Sequence, residues 1–442
     1  MGIRWGIFAL MAALPVSAAS SSEVTFNRDV LPILQKNCQA CHRPGEPAPM
    51  SFLTYQQVRP WAKAIREAVL LKKMPPWFAD PHYGKFSNDR SLSETAINTL
   101  VAWADGGAPE GDPKDLPRPV QFVDGWNIGQ PDLIVEMPNE FQVPASGTIE
   151  YQYIVIPTGF TEDRWVERAE VRPGNRAVVH HVIAFLRPPG SKWMKDAKPG
   201  VPFVPKKKAE KRREDGSLDA GDSGDGEFGS ELLVGYAPGL QHQALKPGQA
   251  KLVKAGTDFV FQMHYTANGK AGTDRSWIGL VYSKEPPVER VVTLAAGNSK
   301  FVIPPGASNH RVDSKFTLHD DAMLIGLMPH MHLRGKSFDF RLVYPTGETE
   351  TPLVVPRYDF NWQLFYYPEK PLLLPKGTRI ECTAHFDNSP NNAGNPDPTE
   401  EVRWGDQSWE EMMIGWFDVA IDARKDPKSL FKEKKKPASS DD

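Results

Sequence analysis

Only three cysteines occur in 442 residues, at positions 38, 41 and 382. That scarcity excludes a disulfide framework, so core packing and bound metals must stabilise the chain. No apolar run reaches the ~20 residues that a membrane-spanning helix needs; Trp5 to Val16 falls short of it. Charge of one sign is also missing. The chain has 52 basic and 55 acidic side chains, a net charge of −3, which offers nucleic acid no bulk attraction. No glutamate adjoins the histidine pairs in a His-Glu-x-x-His pattern, so a zinc hydrolase reading lacks its general base. Proline (41) and glycine (35) are plentiful, which favours many turns and a β-rich body.

Two features at the start of the chain agree on compartment. Residues 1–19 have the plan of a secretory signal: Arg4, the apolar run Trp5 to Val16, then the small residues Ser17, Ala18 and Ala19. Export to the periplasm or beyond is expected, with no membrane span. Cys38, Gln39, Ala40, Cys41 and His42 then form Cys-x-x-Cys-His, the attachment sequence of a c-type haem. The two thiols add to the haem vinyl groups and His42 ligates the iron. The competing reading, half of a zinc site, requires further Cys or His at matching spacing, and none lies close behind His42.

The pattern along the chain implies a multidomain protein. Residues 22–110 read as a small all-α domain. Asn27 is expected to cap a helix through Val30, Ile33 and Leu34, Trp61 to Leu71 shows helical spacing, and Ser91 with Glu94 suggests a capping box before Ile97, Leu100 and Val101. Residues 111–119 form a Pro/Gly-rich linker. Short runs rich in β-branched and aromatic residues follow: Leu133 to Met137, Glu150 to Ile156, Ala177 to Phe185, Phe259 to Tyr265, Ala322 to Leu327 and Phe338 to Tyr344. These predict two β-sandwich domains, residues 120–288 and 289–422. A polar insertion at 205–230 and a tail at 423–442 read as disordered. Cys382 sits in an apolar-leaning run and is expected to be a buried, inert thiol.

Eleven histidines occur, and their placement is informative. His180 and His181 are adjacent within an apolar strand. Neighbouring strand residues face opposite sides, so both can face one core only across a bulge or twist. His264 lies in a second strand-like run. His330 and His332 are spaced i, i+2, which puts both imidazoles on one face of a strand. Met412 and Met413 follow Trp409, Glu410 and Glu411. Neutral imidazole suits copper, zinc or iron, and a thioether favours Cu(I). His42 apart, the remaining histidines point less clearly to chemistry. His385 is expected in a loop, and His242, His310 and His319 beside turns, with His242 an alternative neighbour of the first metal.

The order His-His, Gln-x-His-Tyr, His-x-His-Leu-x-Gly-Lys and Glu-Met resembles the type II copper monooxygenases, the peptidylglycine α-hydroxylating and dopamine β-monooxygenases. The resemblance spans roughly residues 120–422. It implies two jelly-roll-like β-sandwich copper domains with a solvent cleft between them. By that resemblance His180, His181 and His264 would hold an electron-transfer copper. His330, His332 and Met412 would hold an oxygen-activating, catalytic copper, with Met412 preferred to Met413 because it follows the acidic residue. The N-terminal part resembles a class I cytochrome c, which implies Met74 as the sixth haem ligand, with His82 the alternative. The expected cofactors are covalent haem c and two copper ions, with ascorbate or a periplasmic protein as electron donor. The expected partners are O2 and a small organic substrate. The chain departs from the peptide-amidating branch: Met328 stands where that branch has an Arg, and Ile414 and Trp416 stand where it has Asn and Tyr. The pocket beside the catalytic copper is therefore expected to be apolar and aromatic. A non-catalytic copper-binding electron-transfer protein is the competing reading.

Overall fold

The computed structural model describes residues 23–123, 125–205, 231–238, 240 and 243–431. The signal-like segment, nearly all of the 205–230 insertion, His242 and the end of the tail lie outside these residues. The chain divides into two units. The first takes Met1–Pro44, Ala48–Leu71 and Leu92–Val120; the second takes Gly45–Pro47, Lys72–Ser91 and Gln121–Asp442.

The described part of the first unit is helical. A π-turn at Phe26–Val30 runs into the helix Leu31–Asn37, followed by Tyr55–Val58, Ala62–Leu70 and Glu94–Asp105. Its core joins Phe26, Leu34, Val58, Ile65, Leu100 and Trp103, and burial of each large apolar side chain contributes about 1.5–3 kcal/mol. The helix starts differ from expectation. Asn27 is buried and caps nothing; its amide donates to the carbonyls of Gly111 and Asp112. The last helix is capped by Ser93, whose hydroxyl accepts the Ala96 N–H, while Ser91 is held by Asp89. A reciprocal capping box does occur, but between Thr54 and Gln57.

The second unit is β-rich and built from several sheets. Gln152–Pro157, Asp258–Tyr265, Val179–Arg187 and Glu231–Tyr236 form one four-stranded sheet. It shares a core of Ile154, Val182, Phe261, Val171 and Leu280 with strands of a much larger sheet. His310–Thr317, Arg379–Phe386, Gly335–Val343 and Thr349–Val355 form a second four-stranded sheet. That sheet packs through Phe338, Phe340, Leu353 and Phe386 against Leu324, Phe417 and Val419 at the other end of the same large sheet.

The large sheet has nine strands and serves both cores. Its halves meet where Gln249–Val253 pairs in parallel with Glu289–Gly297, Glu289 opposite Gln249. The change of core therefore falls close to residue 288, yet hydrogen bonding continues through it. Lys251 is buried at this junction. Its ammonium donates to the carbonyls of Leu232 and Leu233 and to Thr293 Oγ1, and Thr293 donates to Asp418.

Residues 72–91 are stitched to the second sandwich. The Asp80 N–H donates to the Val354 carbonyl and the Ser87 N–H to the Tyr367 carbonyl. Trp77 packs on Tyr366 with ring centroids 4.9 Å apart. Cys382 is 1 % exposed in the second core, and burial pushes its thiol far above the ordinary cysteine range. No helix of the described residues is long and apolar enough to cross a membrane.

Candidate metal centre

The strand Val179–Arg187 pairs antiparallel with Asp258–Tyr265, His181 opposite His264. A register shift between Val179 and His181 breaks the alternation. That bulge lets adjacent histidines converge. The His180 and His181 rings lie 4.7 and 4.9 Å from the His264 ring. One ring nitrogen from each of the three falls within 4.8 Å of the others.

Four nitrogens in this trio are buried without a hydrogen-bond partner: both of His180, Nε2 of His181 and Nδ1 of His264. Leaving buried polar atoms unsatisfied costs about 1–3 kcal/mol each, and a cation removes that cost. Protonation is disfavoured at the same place. Burial lowers His180, and burial with repulsion from neighbouring imidazoles holds His181 and His264 well below the ordinary histidine value. Three neutral, converging imidazoles, each with a buried nitrogen that lacks a hydrogen-bond partner, fit copper or zinc.

The second pair is positioned by other means. His330 ends the strand Ala322–His330 and pairs with Ile414, whereas His332 lies beyond the strand in a turn. Strand alternation therefore does not set their approach, contrary to the i, i+2 expectation. Glu411 does. Its carboxylate, fully buried, accepts the N–H of His332 at 2.8 Å and of Arg334 at 2.6 Å. Arg334 is itself buried, donating to Asn388 and to the Trp409 carbonyl. The two histidine rings sit 5.3 Å apart at 89°.

Each ring has one nitrogen fixed. His332 Nδ1 donates to the Glu410 carbonyl at 3.1 Å, and His330 Nδ1 donates to Gln363 Oε1 at 3.0 Å. The Gln363 amide is oriented by its own donation to the Phe360 carbonyl and by the Tyr358 hydroxyl. Both Nε2 atoms are thereby left as lone-pair donors, and that of His332 is buried without a partner. Burial pushes His330 down to about 4 and His332 down to about 3.

Met412 and Met413 separate clearly. Met413 is fully buried in the second core, so its thioether is core filling. Met412 packs instead with Met328, Ile414, Trp416, Phe365 and Trp404 on the opposite side of the sheet. Met328 pairs with Trp416 and His330 with Ile414, so this apolar row runs along two strands to His330. Met328, Ile414 and Trp416 thus form one buried apolar row beside the second histidine pair.

The two histidine sets are close. Tyr151 lies 5.1 Å from His181, 4.7 Å from His264 and 6.4 Å from His332, ring centre to ring centre. Phe360 stacks on His180 at 5.3 Å and lies 6.2 Å from His264 and 5.9 Å from His332. Tyr151 is 2 % and Phe360 9 % exposed. Buried rings, not an open solvent cleft, occupy the space between these histidines. Sequence reasoning missed Tyr151, Tyr358, Phe360 and Gln363. None has a distinctive spacing from the ligands, and only Glu411 was signalled, by its position before Met412.

In the first unit Cys38 to His42 form a helical turn, with the His42 N–H on the Cys38 carbonyl. The His42 ring stacks on Phe52 at 4.2 Å and 3°, and its Nδ1 donates to the Met50 carbonyl at 3.3 Å. That bond occupies Nδ1 and leaves Nε2 as the lone-pair donor. Neither Cys38 nor Cys41 is in a disulfide, and both are half-buried. The donor set fits a covalently held haem. Met74 and His82 belong to the segment Lys72–Ser91 of the second unit. His82 is exposed and its Nδ1 bonds Asp80 at 2.7 Å, whereas Met74 is half-buried. Among the other histidines, His385 lies in the strand Arg379–Phe386 rather than a loop and bonds Ser337. His310 opens a strand.

No protein-family model and no curated protein matches this chain. Solved structures give weak similarities. The structure of the infectious bursal disease virus Gx strain is 9 % identical over 68 % of this chain and 75 % of that one, with a TM-score of 0.19. A putative secreted protein from Eubacterium rectale is 10 % identical over 62 % and 69 %, also with a TM-score of 0.19. Likeness at that level carries no argument about fold or function.

Proposed function

We propose that this chain is an exported copper-dependent monooxygenase carrying a cytochrome c domain. The observation that carries the reading is the converging trio His180, His181 and His264, with four buried nitrogens lacking partners. A second pair with one free buried nitrogen lies one aromatic ring away. Copper at these positions would supply one-electron redox chemistry and activation of O2. His180, His181 and His264 would hold the electron-transfer ion, and His330, His332 and Met412 the catalytic ion. Cys38, Cys41 and His42 would hold haem c, which would supply a one-electron carrier, fed by a periplasmic donor or supplemented by ascorbate.

The chain's own groups prepare this site in three ways. Gln363 and the Glu410 carbonyl each hold one imidazole proton, which leaves Nε2 of His330 and His332 basic. Glu411 fixes the turn that carries His332. Met328, Ile414 and Trp416 exclude water and select an apolar substrate. In the balanced reaction one C–H bond becomes C–OH, the second oxygen atom leaves as water, and two electrons and two protons are consumed. A non-catalytic electron-transfer role would not require an apolar surface beside the second pair.

Metal analysis and electron paramagnetic resonance on protein matured in an exported compartment, with haem and copper supplied, test the reading. Two type 2 Cu(II) signals per haem are expected, one lost in His180→Ala and the other in His330→Ala. Haem without stoichiometric copper would overturn the monooxygenase reading. A substrate panel then tests the pocket: efficient hydroxylation of glycine-extended peptides would refute the apolar preference.

A further inference from the structure

Tyr151 and Phe360 each touch both histidine sets. Tyr151 reaches His181, His264 and His332; Phe360 reaches His180, His264 and His332. Both rings therefore join His264, on the first sandwich, to His332, on the second.

Their placement is fixed by the elements that build the second pair. The Tyr151 N–H donates to Gln407 Oε1 at 2.9 Å, and its hydroxyl lies 3.4 Å from Ser408 Oγ. Ser408 Oγ in turn lies 3.5 Å from His264 Nε2. Gln407 and Ser408 precede Met412 in the same loop. The Phe360 carbonyl accepts from Gln363, the residue that orients His330. The backbones of Tyr151 and Phe360 are thereby tied to residues next to the second pair.

We propose that Tyr151 and Phe360 form an aromatic bridge that carries single electrons between the two metal sites. The inference rests on the copper reading above. The step is balanced within the pair. An ion held by His180, His181 and His264 would give up one electron, an ion held by His330, His332 and Met412 would take it up, and no bond or proton would move. The rings act as the packed medium, and the Tyr151 hydroxyl takes no part in the transfer.

Freeze-quench electron paramagnetic resonance on the full-length, copper-loaded chain tests this. One electron equivalent per chain is added, and the two Cu(II) signals, identified by His180→Ala and His330→Ala, are followed as they redistribute. Tyr151→Phe should match the unaltered chain. Tyr151→Leu and Phe360→Leu should each slow redistribution, and the double variant should slow it roughly tenfold or more. Equal rates in the double variant with both coppers bound would overturn the bridge. So would a Tyr151→Phe variant as slow as Tyr151→Leu, because the hydroxyl would then take part. If the double variant holds no copper, the single variants decide, and unchanged rates in both refute the proposal. Failure of the unaltered chain to bind copper would overturn the functional reading and this inference together. Failure in the kinetics alone overturns only the inference.

Discussion

The buried carboxylate of Glu411 accepts the backbone N–H of His332 at 2.8 Å, and the next residue in the chain is Met412. One side chain thus ties the turn bearing a histidine ligand to the segment bearing the thioether. Burial pushes its carboxyl up to about 8, against the pull of backbone N–H groups and Arg334. Glu411→Gln keeps the volume but turns an N–H donor toward backbone donors. The variant should lose about 1–3 kcal/mol of stability and the Cu(II) signal assigned to His330 and His332, while keeping the signal of the trio. Thermal unfolding and electron paramagnetic resonance measure the two effects. Loss of both signals together would show that Glu411 supports the whole unit rather than one site.

The histidines predict a pH dependence for the metal-free chain. In the unfolded chain an imidazole takes up a proton near pH 6.5. In the folded chain His330 and His332 do so only near 4 and 3. Below pH 6.5 the unfolded state therefore binds more protons, and stability falls with pH until the folded values are reached. Each histidine should cost about 2 kcal/mol at pH 5 relative to pH 7.5. The melting temperature of the metal-free chain should drop across pH 6.5 to 5, less steeply than the histidines alone require, because Glu411, pushed up to about 8, is protonated more readily in the folded than in the unfolded chain over the same window. A His330→Gln, His332→Gln double variant should show a shallower drop. Equal slopes would refute the assignment.

The trio at 180, 181 and 264 was legible because its requirement could be stated from the sequence alone. Adjacent strand histidines can share a target only across a bulge, and the bulge lies between Val179 and His181. The second pair was legible as residues but not as geometry. His332 leaves the strand, and its position is set by Glu411, 79 residues away. Long-range hydrogen bonds leave no periodic trace. The same holds for Gln363, 33 residues from His330, and for the two bridging rings. The helix starts were displaced because Asn27 spends its amide on Gly111 and Asp112, partners that local capping patterns cannot reveal. The strands were readable from their β-branched runs. The single sheet running through both cores was not, since the parallel pairing of Glu289 with Gln249 joins segments that local sequence treats separately.

That junction has a consequence for cooperativity. Lys251 is 1 % exposed and donates to Leu232, Leu233 and Thr293. Lys251→Met keeps a long stem but leaves two carbonyls and a hydroxyl without their donor. A loss of about 3–5 kcal/mol is expected, as for other broken buried charge networks. Because the network sits where the halves of the sheet meet, calorimetry should show one transition in the parent chain splitting into two in the variant. A single transition shifted to lower temperature would show that the two cores stay coupled without Lys251.

Gly415 offers a test of packing beneath the second histidine pair. It stands opposite Pro329 on the strand next to His330. A Cβ at this position would lie 2.5 Å from Cys382 Sγ and 2.8 Å from Phe340, closer than atoms can pack. Gly415→Ala should therefore destabilise by about 1–3 kcal/mol through overpacking. Cys382→Ala alone should also destabilise, because it opens a cavity in a filled core. The two changes are complementary in volume: the alanine methyl enters space that the removed sulfur vacates. The double variant should be more stable than the sum of the single effects predicts, by about 0.5–3 kcal/mol. Urea unfolding of the four proteins measures that coupling. Strict additivity would mean that the Gly415 backbone moves away from Cys382 instead of pressing on it. The Cu(II) signal of the second pair in Gly415→Ala would then report how far that movement reaches toward His330.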